Sequence, residues 1–321
     1  MVLRHGEVGD RRRTERFLGR WLGGSARREE AAAAANREEG LTIAIASGKG
    51  GTGKSFLATS LAVTLHQGVA IAPSRWRDTN RRVALVDCDF GLACDHLLLG
   101  AKPIKTLQHV ISGGARFEDT IIETQHGPRL IPGGSGVQRM ANLGRAELAV
   151  LGSELGALVC EHDVVLLDIG AGISPQTVLP MSCTDHVILV TQPEIAALTD
   201  AYAVIKCLAA QCQRSPFSIV VNRVAEAGQG DKTFEKLAEV ARRFTGVELH
   251  YLGEVLEDPA VTQRRLGQPP LVVSHPECAT SRSIHLILDR LRAVVGSFRP
   301  RSVEPSLGFG ARFQTQLGQL F

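Results

Sequence analysis

The sequence has little net charge, few aromatic residues and no long apolar run. Its formal net charge is only +3 over 321 residues, and aromatic residues make up 5% of the chain. So small a charge excess does not predict nucleic-acid binding, because a basic surface would have to come from local clustering. The chain also lacks an apolar run near the ~20 residues that a bilayer span needs, and its start lacks the apolar core of a signal peptide. The 44% of apolar residues instead predict a soluble globular protein with a sizeable core.

Paired cysteines are also missing. The chain has an odd number of cysteines, none of which forms a C-x-x-C pair, and most of them lie in apolar segments. We interpret them as reduced thiols of a cytosolic protein rather than as a metal site or a disulfide framework. An iron–sulfur carrier, which would need a paired-cysteine motif, is therefore disfavoured. The cysteines are Cys88, Cys94, Cys160, Cys183, Cys207, Cys212 and Cys278.

The composition divides the chain into three parts. Residues 1–40 mix arginine, acidic residues and alanine, which indicates a solvated, partly helical tail. Its apolar i,i+4 pairs could instead dock on a partner. Residues 41–297 alternate short apolar runs with helical patterns, and residues 298–321 form a second tail. The segment 68–82 is longer than a usual connection, so we expect it to be an exposed loop.

The apolar runs of the middle part predict the fold. They are continuous rather than alternating, which indicates strands that are buried on both faces. This pattern predicts an α/β fold with a doubly wound, mostly parallel sheet flanked by helices. The runs are 41–46, 82–86, 163–167, 186–191, 217–221 and a weaker one at 247–252.

A glycine-rich loop, SGKGGTGKS, follows the first run. Gly48, Gly53, Lys54 and Ser55 match G-x-x-x-x-G-K-[ST], the loop whose backbone N–H groups wrap a phosphate chain. We expect Lys54 to reach the β- and γ-phosphates and the Ser55 hydroxyl to bind Mg²⁺. A helical pattern over 56–66 follows, as this type of loop requires.

Lys49 has no role in that pattern. Its position early in the loop would place a cation beyond the wrapped phosphates, within reach of a second copy of the site. A charge supplied across an interface can stabilise the transition state, as an arginine finger does. The residues alone equally allow a solvent-exposed lysine, so both interpretations stay open.

Several segments together resemble one family of ATPases. KGGTGKS matches the deviant Walker A pattern K-G-G-x-x-G-K-[ST] of the MinD/ParA ATPases, and the resemblance extends from residue 41 to about residue 292. VDCDFGL at 86–92 is similar to its switch I, and LDIGAG at 167–172 is similar to its Walker B and switch II. GLACDHLLLG and TLQHVISG further resemble the flagellar-number regulators of the FlhG group.

The resemblance implies ATP and Mg²⁺ as cofactors and assigns roles to individual residues. Lys49, Lys54 and Asp89 are the expected catalytic residues, with Asp89 orienting the attacking water. Ser55, Asp87 and Asp168 are expected around the metal. Asp168, Gly170 and Gly172 form the expected switch II. The expected nucleotide-binding residues are Gly48, Lys49, Gly50, Gly51, Thr52, Gly53, Lys54, Ser55, Phe56 and Asn222.

These positions also have a physical rationale. Asp87, Asp89, Asp168 and Asn222 all lie at the ends of apolar runs, where the ligand sites of open α/β sheets gather. Carboxylates there can hold Mg²⁺ and orient water, and the glycines of switch II could sense a γ-phosphate through an N–H. Asn222 could pair with the adenine edge. A strand-end aspartate or asparagine is otherwise often a turn residue.

The C-terminal tail carries an apolar stripe at helical spacing. MinD-like and FlhG-like proteins end in such a membrane-targeting helix, so the resemblance implies an anionic membrane surface as partner. Few cations flank the stripe, and one copy would bind lipid weakly, whereas two copies in a dimer would bind by avidity. Docking of the stripe on its own domain is the alternative. The stripe consists of Phe309, Phe313, Leu317, Leu320 and Phe321.

The resemblance therefore implies a weak ATPase that forms a homodimer with ATP and cycles between the cytoplasm and the inner face of the membrane. Its expected partners are flagellar assembly factors, a transcriptional activator or an FlhF-like GTPase, although residues 1–40 lack the D-Q-A-x-x-L-R motif used to stimulate that GTPase. No direct specific nucleic-acid binding is expected. Alternatives are a MinD-like division-site ATPase, a ParA-like partitioning ATPase and an adaptor that binds nucleotide without hydrolysing it. Only two tyrosines occur, which disfavours a tyrosine kinase.

Overall fold

The structure of the protein is a computed structural model. Residues Glu39–Phe321 form one compact unit, and within it several segments are not described. The tail 1–38, most of the expected loop at 68–82 and residues 298–306 therefore lie outside the described residues, as do Cys212 and Phe321. The structure describes residues 39–68, 82–91, 93–134, 143–211, 217–297 and 307–320.

An eight-stranded sheet lies at the centre of the unit. Its strands run in the order β3-β4-β2-β5-β1-β6-β7-β8, and neighbours are parallel except for the antiparallel β3–β4 pair at one edge. The predicted doubly wound, mostly parallel sheet is confirmed. The strands are β1 (Leu41–Ala46), β2 (Val83–Cys88), β3 (Ile122–Glu123), β4 (Arg129–Ile131), β5 (Val164–Ile169), β6 (His186–Thr191), β7 (Phe217–Val224) and β8 (Leu249–Leu256).

The central strands are buried on both faces, as their continuous apolar runs predict. Every residue of β1, β2, β5 and β6 is buried. Successive side chains point to opposite faces, so Ile43 and Ile45 pack on one face of the sheet while Ala44 and Ala46 pack on the other.

Helices cover both faces. Helix α1 and the long helix α10 pack on the face of Ile43 and Ile45, and α4, α5, α6, α7 and α11 pack on the opposite face. The helices are α1 (Lys54–His66), α2 (Asp95–Leu98), α3 (Leu107–Ile111), α4 (Arg145–Glu161), α5 (Pro175–Cys183), α6 (Ile195–Gln211), α7 (Gln229–Thr245), α8 (Pro259–Gln263), α9 (Leu271–Ser274), α10 (Ala279–Ser297) and α11 (Phe309–Leu320).

The C-terminal stripe packs on the domain instead of facing outward. Phe309 and Phe313 are completely buried, and Leu317 is 3% exposed. Leu320 packs partly against the same core. Of the two interpretations of the tail, the structure therefore shows the docked one. Lipid binding by this stripe stays a prediction and would require α11 to leave its groove.

Glycines in α4 form the groove that receives α11. A Cβ atom at Gly152 would overlap the ring of Phe313, and one at Gly156 would lie 3.0 Å from Cα of Gly310. The two helix backbones can approach this closely because none of the three positions has a side chain. Arg312 fixes the docked position, since its guanidinium donates to the Cys183 carbonyl at 2.9 Å.

None of the helices that the structure describes combines the length and the apolar character that a bilayer span requires. The six cysteines within the described residues are thiols.

Candidate functional site

The predicted site residues meet at the carboxyl ends of neighbouring parallel strands. Asp87 near the end of β2 is in register with Asp168 near the end of β5, and the glycine-rich loop follows β1 next to β5. Helix ends and strand ends converge there in an open α/β sheet. The sequence pattern alone predicts the strands. The order of the strands in the sheet then brings their carboxyl ends together.

The glycine-rich loop leads directly into the amino end of α1. Gly50 and Gly51 are exposed at its tip, whereas Thr52 is buried. The backbone at Gly53 has a positive φ of 93°, and a Cβ atom there would overlap the side-chain amide of Asn222. Only glycine meets both conditions. The amino end of α1 is the kind of terminus that binds phosphate through its N–H groups.

Asn222 contacts the loop itself. Its side-chain amide donates to the Thr52 carbonyl at 2.7 Å, so β7 holds the shape of the loop. The adenine-reading role of Asn222 stays a prediction. Phe56 follows the loop in α1 and packs partly against the core, and its expected contact with nucleotide likewise stays a prediction.

Lys54 forms an ion pair inside the site. Its ammonium donates to Asp89 Oδ2 at 2.9 Å, and both side chains are largely shielded from solvent. Burial alone would lower the pKa of Lys54, but the charges of Asp168 and Asp89 outweigh it and raise that pKa. Lys54 and Asp89, both predicted as catalytic residues, are therefore brought together as a charged pair.

Three other carboxylates lie behind this pair. Asp87, Asp95 and Asp168 are each 0% exposed, and each offers an oxygen such that the three lie within 4.8 Å of one another. Burial raises the pKa of Asp87 to about 6 and that of Asp168 to about 7. Ser55 is close enough to Asp168 to lower that pKa in part. Ser55, Asp87 and Asp168, the three residues expected around the metal, are thus neighbours.

Asp95 was not predicted from the sequence. It lies at the start of α2, eight residues after Asp87, and its backbone N–H donates to Asp87 Oδ2 at 3.1 Å. Burial raises its pKa well above the ordinary value. The sequence shows Asp95 only as a further acidic residue in the segment after β2. The path of that segment, which the sequence does not reveal, places Asp95 in the site.

Switch II is connected to the glycine-rich loop. The Gly172 N–H, one of the groups expected to sense a γ-phosphate, donates to the Ser47 carbonyl at 3.1 Å. Gly170 lies beside Asp89, where a Cβ atom would be 3.6 Å from Oδ1. The hydrogen bond therefore ties this segment directly to the glycine-rich loop.

Lys49 lies at the rim of the site and does not point into it. Its ammonium is 3.3 Å from Glu194 Oε2, and its side chain is 44% exposed. Exposed pairs of this kind are worth about 0–1 kcal/mol, so Lys49 can exchange Glu194 for another partner at little cost. The role of Lys49 across a dimer interface stays a prediction.

We expect the metal-free, nucleotide-free protein to lose stability as pH rises from about 6.5 to about 8. Asp168 has its native pKa near 7 but an unfolded value near 3.9, so the native state binds more protons in this interval. The free energy of unfolding then falls as pH rises. His186, whose pKa burial lowers to about 3, opposes this slope near pH 6.5 but contributes little above about pH 7, where an unfolded histidine is mostly neutral.

Melting temperatures in a chelating buffer measure this dependence. Asp168→Asn should weaken it, because the amide does not titrate while the raised pKa of Asp95 still contributes, and Asp163→Asn at the other end of β5 should leave it unchanged. A native protein whose melting temperature rises over this interval would contradict the prediction.

Comparison with known proteins gives relatives of both sequence and fold. The chain is 31% identical over 249 residues to the antiactivator FleN of Pseudomonas aeruginosa, covering 78% of this chain and 85% of FleN. It is 34% identical over 214 residues to the flagellum site-determining protein YlxH of Helicobacter pylori, covering 66% and 68% respectively. No family model matches the chain.

Solved structures agree with this relationship. The cell division ATPase MinD of Pyrococcus furiosus superposes with a TM-score of 0.64 at 28% identity, covering 79% of this chain and 99% of MinD. The Mg-ADP complex of MinD from Pyrococcus horikoshii superposes with a TM-score of 0.63 at 27% identity, covering 81% and 99%. The loop, the strand-end carboxylates and these relatives together show that the chain belongs to the MinD/ParA family of ATPases, with the flagellar proteins FleN and YlxH among its relatives.

Proposed function

We propose that the protein is a switch ATPase that dimerises with Mg-ATP, hydrolyses it slowly and regulates the number or placement of flagella. The observation that carries the proposal is the Lys54–Asp89 ion pair beside the buried carboxylates, at the end of a phosphate-binding loop. The relatives named for antiactivation and for flagellum site determination support the flagellar assignment.

The buried carboxylates fit a magnesium ion. Mg²⁺ prefers hard oxygen ligands, and within the described residues both oxygens of Asp168 are buried with no hydrogen bond of standard geometry, with the Ser55 side chain close by. Ser55, Asp87 and Asp168 would hold the ion, which would neutralise charge on the phosphates. Lys54 would bind the β- and γ-phosphates.

The ion pair suggests how Asp89 becomes available. Without nucleotide, the carboxylate of Asp89 accepts from Lys54. Phosphate oxygens would compete for the ammonium, and Asp89 would then be released to orient the attacking water. In this way the site would acquire its water-orienting carboxylate only after ATP is bound.

Dimerisation would complete the site. Lys49 sits at the rim with a weakly held partner, so a second copy of the chain could offer its phosphates to that ammonium. Positive charge supplied in this way stabilises the transition state of phosphoryl transfer. Hydrolysis would therefore depend on assembly of the dimer.

Membrane residence would follow from release of α11. Docking buries the phenylalanines of its stripe, so the docked helix cannot present them to lipid. A dimer that releases two such helices would bind an anionic bilayer by avidity, although one helix would bind weakly. The protein would then be cytoplasmic with ADP and peripheral on the inner face of the membrane with ATP.

The solution mass and liposome co-sedimentation of the same samples test the proposal. Asp89→Ala should block turnover, so its complex with Mg-ATP should be a dimer that sediments with anionic phosphatidylglycerol vesicles, whereas its complex with Mg-ADP should be a soluble monomer. Removal of residues 306–321 should abolish sedimentation but not dimerisation. A protein that binds ATP yet stays monomeric would exclude the dimerising switch and favour an adaptor that binds nucleotide without hydrolysing it.

A MinD-like role in division-site placement is the second candidate, favoured by the fold likeness to cell division MinD. Deletion in the native host separates the two. Altered flagellar number with normal division supports the flagellar role, and misplaced septa with normal flagella support the division role.

A further inference from the structure

Asp95 is a buried carboxyl group whose side chain has no hydrogen-bond partner among the described residues. It is 0% exposed, and neither carboxylate oxygen has a hydrogen-bond partner in the part of the chain that the structure describes. Its backbone N–H, by contrast, donates to Asp87 Oδ2 at 3.1 Å. A buried carboxylate in this state costs several kcal/mol unless a cation or a proton compensates it.

The surroundings of Asp95 add to this charge instead of balancing it. Asp87 and Asp168 lie with it in one cluster, in which the ligand oxygens are within 4.8 Å of one another. Both oxygens of Asp168 are likewise buried, and neither makes a hydrogen bond of standard geometry within the described residues, although the Ser55 side chain lies close to them. Asp95 and Asp168 therefore each offer a buried oxygen to a cluster that Asp87 completes.

The cation nearest to the cluster is already engaged. Lys54 acts electrostatically on all three carboxylates, but its ammonium donates to a fourth, Asp89, at 2.9 Å. One positive charge thus faces four carboxylates. Three convergent carboxylates of this kind offer the hard, anionic oxygen ligands that divalent cations prefer.

We infer that Asp95 is a third carboxylate ligand, which lets the site hold a divalent cation before any nucleotide binds. A magnesium site usually has one or two carboxylates and depends on the phosphates of the substrate for the rest. Here the chain itself supplies the additional oxygen. The cation would enter first, and the nucleotide would bind to a preformed cation site.

This inference deepens the proposed Mg-ATP function, but its test needs no nucleotide. The full-length protein is stripped with a chelator, and Mn²⁺ binding is followed by electron paramagnetic resonance of the free ion. The native protein should bind one Mn²⁺ at submillimolar concentration. Asp95→Asn, which keeps the shape and removes the charge, should weaken that binding at least about tenfold.

Matched variants show whether a loss of Mn²⁺ binding comes from the Asp95 carboxylate itself or from a general effect on charge or folding. Asp163→Asn removes an acid from the other end of β5 and should bind Mn²⁺ as the native protein does. Asp95→Ser provides a second neutral variant if the asparagine does not fold. Asp95→Asn should also be at least as stable as the native protein without metal, and should gain less stability when Mn²⁺ is added.

Two outcomes would overturn the inference. Either the native protein binds no Mn²⁺ at millimolar concentration without nucleotide, or both neutral variants bind it as tightly as the native protein. In both cases Asp95 carries a proton instead of contacting a cation. If dimerisation of Asp89→Ala with Mg-ATP persists in either case, the proposed switch stands and only the nucleotide-independent cation site fails.

Discussion

A Lys49→Ala variant is expected to bind Mg-ADP as the native protein does, yet to lose about 10²–10³-fold of its ATP turnover. The side chain is 44% exposed and its pair with Glu194 is 3.3 Å long, so the fold loses no more than about 1 kcal/mol. The phosphate loop keeps Lys54, and nucleotide binding within one chain is unchanged. The variant lacks only the Lys49 ammonium, which would act on the phosphates bound by the second copy of the chain.

Steady-state phosphate release and fluorescent-ADP titration measure the two quantities on the same sample. Glu194→Gln is the matched control, because it removes the charge that holds Lys49 but leaves the lysine itself. Its turnover should equal or exceed that of the native protein. Turnover of Lys49→Ala within about threefold of native, well below the loss that a transition-state charge implies, would identify Lys49 as a surface residue.

The second large effect is expected from a single methyl group in α4. Gly152→Ala places a Cβ atom inside the ring of Phe313, so α11 must shift or leave. Overpacking of this kind costs about 1–3 kcal/mol. Gly318→Ala makes the same chemical change on α11 where nothing lies within 4 Å of the new atom. It should stabilise the helix by up to about 1 kcal/mol.

Hydrogen exchange of residues 309–320 measures the release of α11 from its groove, and sedimentation with anionic vesicles measures its binding to lipid. Gly152→Ala should expose the amides of α11 and make vesicle binding independent of nucleotide, whereas Gly318→Ala should do neither. Exposure without vesicle binding would disprove the membrane role of the stripe while confirming its release. Unchanged protection in Gly152→Ala would show that the groove adapts without releasing α11.

The site could be predicted from the sequence wherever a local pattern fixes the geometry. The loop at 48–55 lies between a strand and a helix, and parallel neighbouring strands place Asp87 and Asp168 side by side. Asp95 could not be found in this way. Its position depends on how the segment after β2 folds back towards β5, and no periodicity encodes that path.

The tail illustrates the same limit for packing. Helical spacing correctly identifies the stripe that contains Phe313, but an apolar stripe fits lipid and protein equally well. The distinguishing residues, Gly152 and Gly156, lie more than a hundred positions away in α4. Two glycines in a helix are a weak signal until the helix they face is known.

Helix α5 connects the candidate site with the docked C-terminal helix α11. It begins at Pro175, three residues beyond Gly172 of switch II, and ends at Cys183, whose carbonyl accepts from Arg312 of the docked tail. Its nine residues span about 14 Å, and a hydrogen-bonded helix is stiff along its axis. We therefore expect a displacement beside Gly172 to reach Cys183 through α5, so that the candidate site and α11 would move together.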